Sequence, residues 1–412
     1  MDTPQPPPPS VFSHPIIFLV VEVVIIISML SATSFPSLRM RLMALVPLVG
    51  CLYGVITTAP QNLRMSWGGL VCGTGGFCLL HYLDVALLRG SFKFEAGKLQ
   101  KTSITPDMNN QSLFDCVRFG LSTLSSFRKI NTPLEVKNVP PFRSGGHPPT
   151  YYEFLRFSTT SIVLHALILD LASLAPSPEP VVAPFAAEKV PLIKNMLNRT
   201  ITADDFVTRC VGTFAHWLLT YCFLRCCYDT CAFILVASKF TSPVSWRPMF
   251  GPVSHMFTLR GFWGSTWHQL VRDPCGQPAA FITHSALGLP LNNRNVATRY
   301  SKLILSFMLS GLVHAAADLA AGIPFEESGS LQFFLTQAVG IMVEDTVRTL
   351  WGDGKVTDIP QPKRLWYIVV GYVWVGFWLF WTTPIWSYPS ARYYNGSSFL
   401  PFSVLRPLLK AL

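Results

Sequence analysis

Long apolar runs recur along the chain, separated by polar segments. Eight of them, near Pro15–Ala32, Leu42–Thr58, Trp67–Leu88, Leu155–Leu174, Phe206–Ser238, Leu303–Ala321, Leu331–Leu350 and Leu365–Trp386, are long enough to be read as spans. Each approaches the roughly 20 apolar residues that a bilayer core requires. The pattern predicts an all-α, polytopic helical membrane protein with about eight transmembrane helices. The fifth run exceeds one bilayer thickness, so it must tilt, kink or break. Phe399–Leu412 is apolar too, but Pro401 and Pro407 argue against a span there and suggest an interfacial segment. The organisation that follows is a Pro-rich N-terminal stretch over 1–14, one membrane-embedded domain over 15–386 and a tail over 387–412, lumenal or interfacial. No internal repeat and no second, soluble domain is evident.

Charge orients these spans. Lys and Arg cluster between Arg89 and Arg143 and again between Lys239 and Arg299, which marks both stretches as cytosolic. Counting outward, Arg39, Arg41, Lys355, Lys363 and Arg364 also fall on the cytosolic side, while Glu326, Glu327 and the N-terminus fall outside. The sequons at Asn198 and Asn395 then lie on the lumenal side and are expected glycosylation sites; the one at Asn110 is cytosolic and is expected to stay unmodified.

Composition agrees with this picture. Hydrophobic residues make up 50% of the 412 and charged residues only 13%, against about 25% charged in soluble proteins. The net charge of +10 reads as cytosolic loop charge, not as a nucleic-acid surface, because no RNA-binding or zinc-finger pattern accompanies it. Four of the ten cysteines, Cys222, Cys226, Cys227 and Cys231, are spaced helically on one apolar run, with no Cys-x-x-Cys pair. No metal site is expected, and no tightly bound cofactor.

Two histidine motifs stand out against the apolar background. His314 sits deep in the sixth run, and an ionisable group there is expensive and usually functional. A neutral imidazole can accept a proton. Ser310-Gly311, one turn earlier, offers a small surface where a substrate or another helix approaches closely. Asp318 follows four residues later on the same helical face and is placed to orient the ring. The bland alternative is a buried histidine bonded to a neighbouring helix. His268 lies in Trp263-x-x-x-Trp267-His268-Gln269, between Arg260 and Arg272. That segment is aromatic, polar and too short to span, which suggests a re-entrant or interfacial element; an interface belt explains the tryptophans but not the His-Gln pair. Glu344 and Asp345 are ionisable groups in the seventh run, available to pair with an Arg or to face a tunnel. His216, and His81 with Asp84, read as helix–helix hydrogen-bonding groups.

The elements Phe-Trp-Gly-x-x-Trp-His-Gln at Phe262–Gln269 and Ser-Gly-x-x-His at Ser310–His314 resemble the membrane-bound O-acyltransferase family, in its wax-synthase-like branch. The close match covers about 250–345. In general character the chain is similar to fungal secondary-metabolite members that acetylate terpenoid or meroterpenoid alcohols. The resemblance implies a helical bundle in the endoplasmic reticulum membrane with a central tunnel, acyl-CoA entering from the cytosol and a small hydrophobic alcohol entering from the lipid bilayer. It makes His314 the catalytic histidine and puts His268 at the second catalytic position, where many members carry Asn.

The expected chemistry is direct transfer. His314 takes the hydroxyl proton as the oxygen attacks the thioester, and His268, with Gln269 or the Trp267 N–H, holds the thioester or the developing oxyanion. Arg260 and Arg272 are expected to bind the phosphates of acetyl-CoA or another acyl-CoA. Two rivals remain at this level. One is a long-chain wax or sterol ester synthase. The other is a proton-coupled transporter using the intramembrane His, Asp and Glu groups.

Overall fold

Among the described residues, six helices are long and apolar enough to cross a membrane: Arg41–Asn62, Met65–Leu88, Tyr151–Ala172, Ala203–Ala237, Val296–Ala320 and Lys363–Arg392. They match the second to sixth and the eighth apolar runs of the sequence. The computed structural model describes residues 38–88, 93–95, 98–100, 126–131, 134–142, 146–174, 183–292, 294–351, 363–394 and 399–411. The first predicted span and the sequons at Asn110 and Asn395 lie outside these residues. The seventh run does form a helix, Ser330–Trp351, but Gln332, Gln337, Glu344, Asp345 and Arg348 leave it short of the apolarity of a lipid-facing span.

In chain order the helices are α1 (Leu38–Met43), α2 (Leu45–Asn62), α3 (Met65–Tyr82), α4 (Tyr151–Ala172), α5 (Leu192–Leu197), α6 (Ala203–Ala237), α7 (Leu259–Gly261), α8 (Arg272–Phe281), α9 (Val296–Ala320), α10 (Ser330–Trp351), α11 (Lys363–Arg392) and α12 (Leu405–Ala411). One small antiparallel ribbon, β1 (Lys93–Glu95) with β2 (Lys98–Gln100), follows α3. Wider π-helical turns extend three of the helices: Leu83–Leu88 after α3, Phe262–Thr266 after α7 and Ile282–Ala286 after α8. Such turns occur often at functional sites, and the middle one leads directly to His268.

Local chemistry sets several helix starts. Thr150 with Glu153 opens α4, and Thr202 with Asp205 opens α6, each as a reciprocal capping box. The Asn295 side chain caps α9 through the Thr298 N–H. From its cap α6 runs 35 residues without a break, a length of about 50 Å. No break interrupts it, so of the expected alternatives tilting or kinking remains. Near its start the buried Arg209 donates to the carbonyls of Lys189, Val190 and Trp381, tying the preceding loop and α11 to it.

The bundle centre is α9, which packs against α3, α8 and α10, while α4 pairs with α6. Around α9, Gly68 and Gly311 are among the glycines on which close approach depends. A Cβ on Gly68 would lie 2.4 Å from the Ala320 carbonyl oxygen, and one on Gly311 would lie 3.0 Å from the Leu331 backbone. The small surface at Ser310-Gly311 therefore receives a second helix, α10, in the way small residues allow helices to touch in membranes.

Two buried cations in the short segment 126–131 staple the bundle together. Arg128 donates to the carbonyls of Arg247 and Pro248 and to the Tyr228 hydroxyl. Lys129 bridges Asp84 at 2.6 Å and Asp273 at 2.7 Å, joining the turn after α3 to the start of α8. Asp84 thus bonds to Lys129 of the 126–131 segment, and the His81 ring packs edge-on against Phe127 at 4.9 Å.

At the other end of the molecule the tail folds back. Trp67 Nε1 donates to the Phe399 carbonyl at 2.9 Å, and Arg64 donates to those of Leu400 and Pro401. Asp170 accepts the Val404 and Leu405 N–H groups at 2.8 and 3.0 Å, capping the last helix from α4.

Candidate active site

A cavity of about 2360 Å³ runs through the bundle, and His314 and His268 both line it. Ordinary small-molecule sites measure roughly 300–1,000 Å³, so this space accommodates two substrates together. Its walls are mainly apolar, contributed by α3, α4, α6, α9 and α11 and by the 259–280 segment. Cationic side chains, among them Arg260, Arg272, Arg299 and Lys302, border one part of it. Residues 399–402 of the tail border another.

His314 stands on the cavity side of α9. Its Nδ1 lies 2.8 Å from the Ser310 carbonyl oxygen. A carbonyl only accepts, so Nδ1 carries the proton and Nε2 is left as the basic nitrogen. Three rings hold the imidazole in place: Phe334 at 4.4 Å, Trp386 edge-on at 5.1 Å and Phe77 at 5.6 Å.

The orienting role expected of Asp318 is filled differently. Its carboxylate accepts from the Ser328 hydroxyl at 2.6 Å, from the Ser330 hydroxyl, and from Trp386 Nε1 at 3.3 Å. The Ser310 carbonyl, within the same helix, already occupies the His314 nitrogen that Asp318 was expected to engage. Asp318 instead fixes the indole that packs against the His314 ring. Asp318→Ala is therefore expected to lower kcat roughly tenfold, the scale of a lost hydrogen bond to a charged group, with the acyl-CoA KM unchanged. Trp386→Phe should give the same split, and the double variant should be no worse than either single one. Steady-state kinetics on the three proteins checks this; additive losses would separate the two residues.

His268 follows the π-helical turn, against Trp267 at 5.5 Å and Phe250 at 5.9 Å. Its Nδ1 is buried with no hydrogen-bond partner among the described residues. Burial, reinforced by His314 and Arg128, pushes its pKa down to about 3. The ring is neutral at physiological pH and so presents one N–H donor and one acceptor. Trp267 packs edge-on to Trp217 at 4.7 Å and closes the wall beside it.

Gln269 and Arg272 are committed to holding this loop. Gln269 Nε2 donates to the Trp267 carbonyl at 2.6 Å and to that of Trp263 at 3.1 Å. Its Oε1 accepts from Arg272, which also donates to the Gly264 and Lys137 carbonyls. The Gln269 amide is thus spent on the backbone and braces His268, in place of the expected contact to the thioester. Arg260 forms a two-pronged pair with Asp345, with Nε to Oδ1 at 3.1 Å. Next to it, Glu344 accepts the Leu259 N–H at 2.6 Å and the Arg260 N–H at 3.4 Å. The two acids of the seventh run therefore seize the start of the His268 segment, pinning it to α10.

Several residues at the site carried no sequence signal. Trp386 looks like an interface aromatic at the end of a span, and its contacts to His314 and Asp318 cross 72 and 68 residues of chain. Trp217 and Phe334 are two aromatics among many. Asn198 is exposed at the end of α5 and open to modification.

The comparisons with known proteins agree with this geometry. The profile of the membrane bound O-acyl transferase family matches residues 246–336, which contain both histidines. Acetyltransferase fsoF of Humicola fuscoatra is 31% identical over 356 residues, covering 79% of this chain and 84% of that protein. Acetyltransferase aurG of Calcarisporium arbuscula is 29% identical, with 80% of each chain covered. Acetyltransferase atnC of Arthrinium sp is 31% identical, with 74% of this chain and 69% of that protein covered. With likenesses of this extent and the motif-bearing segment matched, the chain belongs to the membrane-bound O-acyltransferase family and is an acyltransferase.

Proposed function

We propose that this enzyme moves an acetyl group from acetyl-CoA to a hydroxyl of a terpenoid or meroterpenoid intermediate in a fungal secondary-metabolite pathway, within the endoplasmic reticulum membrane. The observation that carries the reading is the pair His314 and His268 facing one large, mainly apolar cavity bordered on one part by cations. The acetyl preference rests on the relatives, which are named acetyltransferases and come from fungi.

The acceptor hydroxyl donates to Nε2 of His314. As its oxygen attacks the thioester carbon, the proton passes to that nitrogen and the imidazolium keeps its Nδ1–H on the Ser310 carbonyl. The neutral His268 donates its N–H to the oxyanion. When the C–S bond breaks, the thiolate recovers the proton from His314, leaving the ester, free CoA and the starting tautomer. No covalent enzyme intermediate is required. Among the cavity-lining cations, Arg299 and Lys302 would meet the CoA phosphates, while Arg260 and Arg272 hold the loop and add positive charge beside them. An apolar tunnel keeps water from competing with the alcohol.

The test uses microsomes containing the protein, supplied with acetyl-CoA or palmitoyl-CoA and a panel of terpenoid, sterol and fatty alcohols. Acetyl ester of a terpenoid alcohol is the expected product. Palmitoyl ester as the main product would instead make it a wax or sterol ester synthase, which the size of the cavity also admits.

A further inference from the structure

The cavity extends past His314 and Trp386, and polar groups without partners stand there. His216 Nε2 and Ser387 Oγ are buried with no hydrogen bond among the described residues, and both residues line the cavity. Buried polar atoms in native proteins are almost always satisfied, so orphans of this kind call for an explanation. These two, on helices α6 and α11 that pack together, mark where a ligand's polar group completes the bonding.

Their position sets the ligand. The His216 ring packs against Trp386 at 5.1 Å, and His314 packs against the same indole at 5.1 Å. One tryptophan thus spaces the catalytic imidazole from the second one. Neighbouring contacts make that spacing rigid: Trp386 is held by Asp318, and Trp217, next to His216, donates to Thr383 Oγ1 at 3.0 Å. A simple acyl chain carries no oxygen that reaches beyond the thioester, so the group that meets His216 belongs to the acceptor.

We propose that His216, with Ser387, is an acceptor-recognition point that binds a second oxygen function, a keto or hydroxyl group, on a rigid polycyclic alcohol whose reacting hydroxyl lies at His314. The assignment rests on the acyl-transfer reading above for its kinetic consequence but not for binding. It makes His216 a specificity-determining residue, acting on the choice of acceptor and not on the chemical step.

The experiment compares a tricyclic terpenoid mono-alcohol with the same skeleton carrying a keto group on the ring remote from the hydroxyl. Wild type, His216→Phe and His216→Gln are assayed with both acceptors. The wild type is expected to favour the keto-alcohol by at least about tenfold in kcat/KM. His216→Phe brings that ratio close to one while mono-alcohol turnover stays within about twofold of wild type, and His216→Gln restores part of the preference. Equal losses with both acceptors, or a ratio unchanged by the substitution, would overturn the proposal. A second arm measures thermal stabilisation of the purified His314→Ala protein by each alcohol, with and without His216→Phe. The keto-alcohol should stabilise more, and only when His216 is present. If no alcohol is acylated but the His216-dependent stabilisation persists, acyl transfer to this acceptor class is wrong and the binding point stands. If the stabilisation is independent of His216, the binding point is wrong.

Discussion

His314→Ala is expected to reduce turnover by about 10²–10⁴, the contribution of a positioned general base, while leaving the acyl-CoA KM near its wild-type value. The reasoning is local. The imidazole hangs from α9 by one bond to its own helix, Nδ1 to the Ser310 carbonyl, and its removal breaks no bond between helices. The surrounding rings, Phe77, Phe334 and Trp386, also contact other groups, so the wall survives the truncation. What disappears is the basic nitrogen. His314→Gln is the sharper control, since it fills the space but cannot carry a proton through the cycle. Rates on purified protein, with acyl-CoA binding measured separately, decide the matter: a variant whose KM rises in step with a falling kcat would make His314 a wall residue.

Lys129→Met should be the most damaging substitution for the fold. The ammonium is almost wholly buried between Asp84, also buried, and Asp273. Removing one member of a buried ion cluster leaves charge without compensation and destabilises by roughly 3–5 kcal/mol. Methionine keeps most of the side-chain volume, so the loss is electrostatic and not a cavity. Because Lys129 ties the turn after α3 to the start of α8, the effect should reach the His268 loop. Thermal unfolding in detergent measures it. Asp273→Asn in the Lys129→Met background should recover part of the loss, because it removes one of the stranded carboxylates. A Lys129→Met protein as stable as wild type would show that this cluster contributes nothing to stability.

The sequence made the spans readable because lipid imposes a simple rule, about 20 apolar residues per crossing. It left α10 indistinct from the other spans, and two of the polar groups that lower its hydropathy, Gln337 and Glu344, are buried within the bundle. Both histidines were legible as polar residues in apolar surroundings. Asp318 was legible as a neighbour but not as a partner. Helical spacing put it on the right face, and the choice between His314 and the two serines was made by the loop that folds back from α10. The same limit applies to Glu344. Its acidity was visible, but the backbone N–H groups it accepts are 85 and 84 residues away in the chain. His216 was read as a helix–helix bonding group, and in the fold its Nε2 has no hydrogen-bond partner among the described residues.

The tail anchors have a consequence for biosynthesis. Pro401 and Arg64 are joined across 337 residues, and the tail they secure is part of the cavity wall. During translation the helices enter the bilayer in order, and α3 waits through nearly the entire passage of the chain for the segment that seals its edge. Until then that flank stays open to lipid. The nascent enzyme therefore matures with its interior in contact with membrane molecules, and bulk introduced within residues 399–411 would interfere with that closing step before it touched the chemistry.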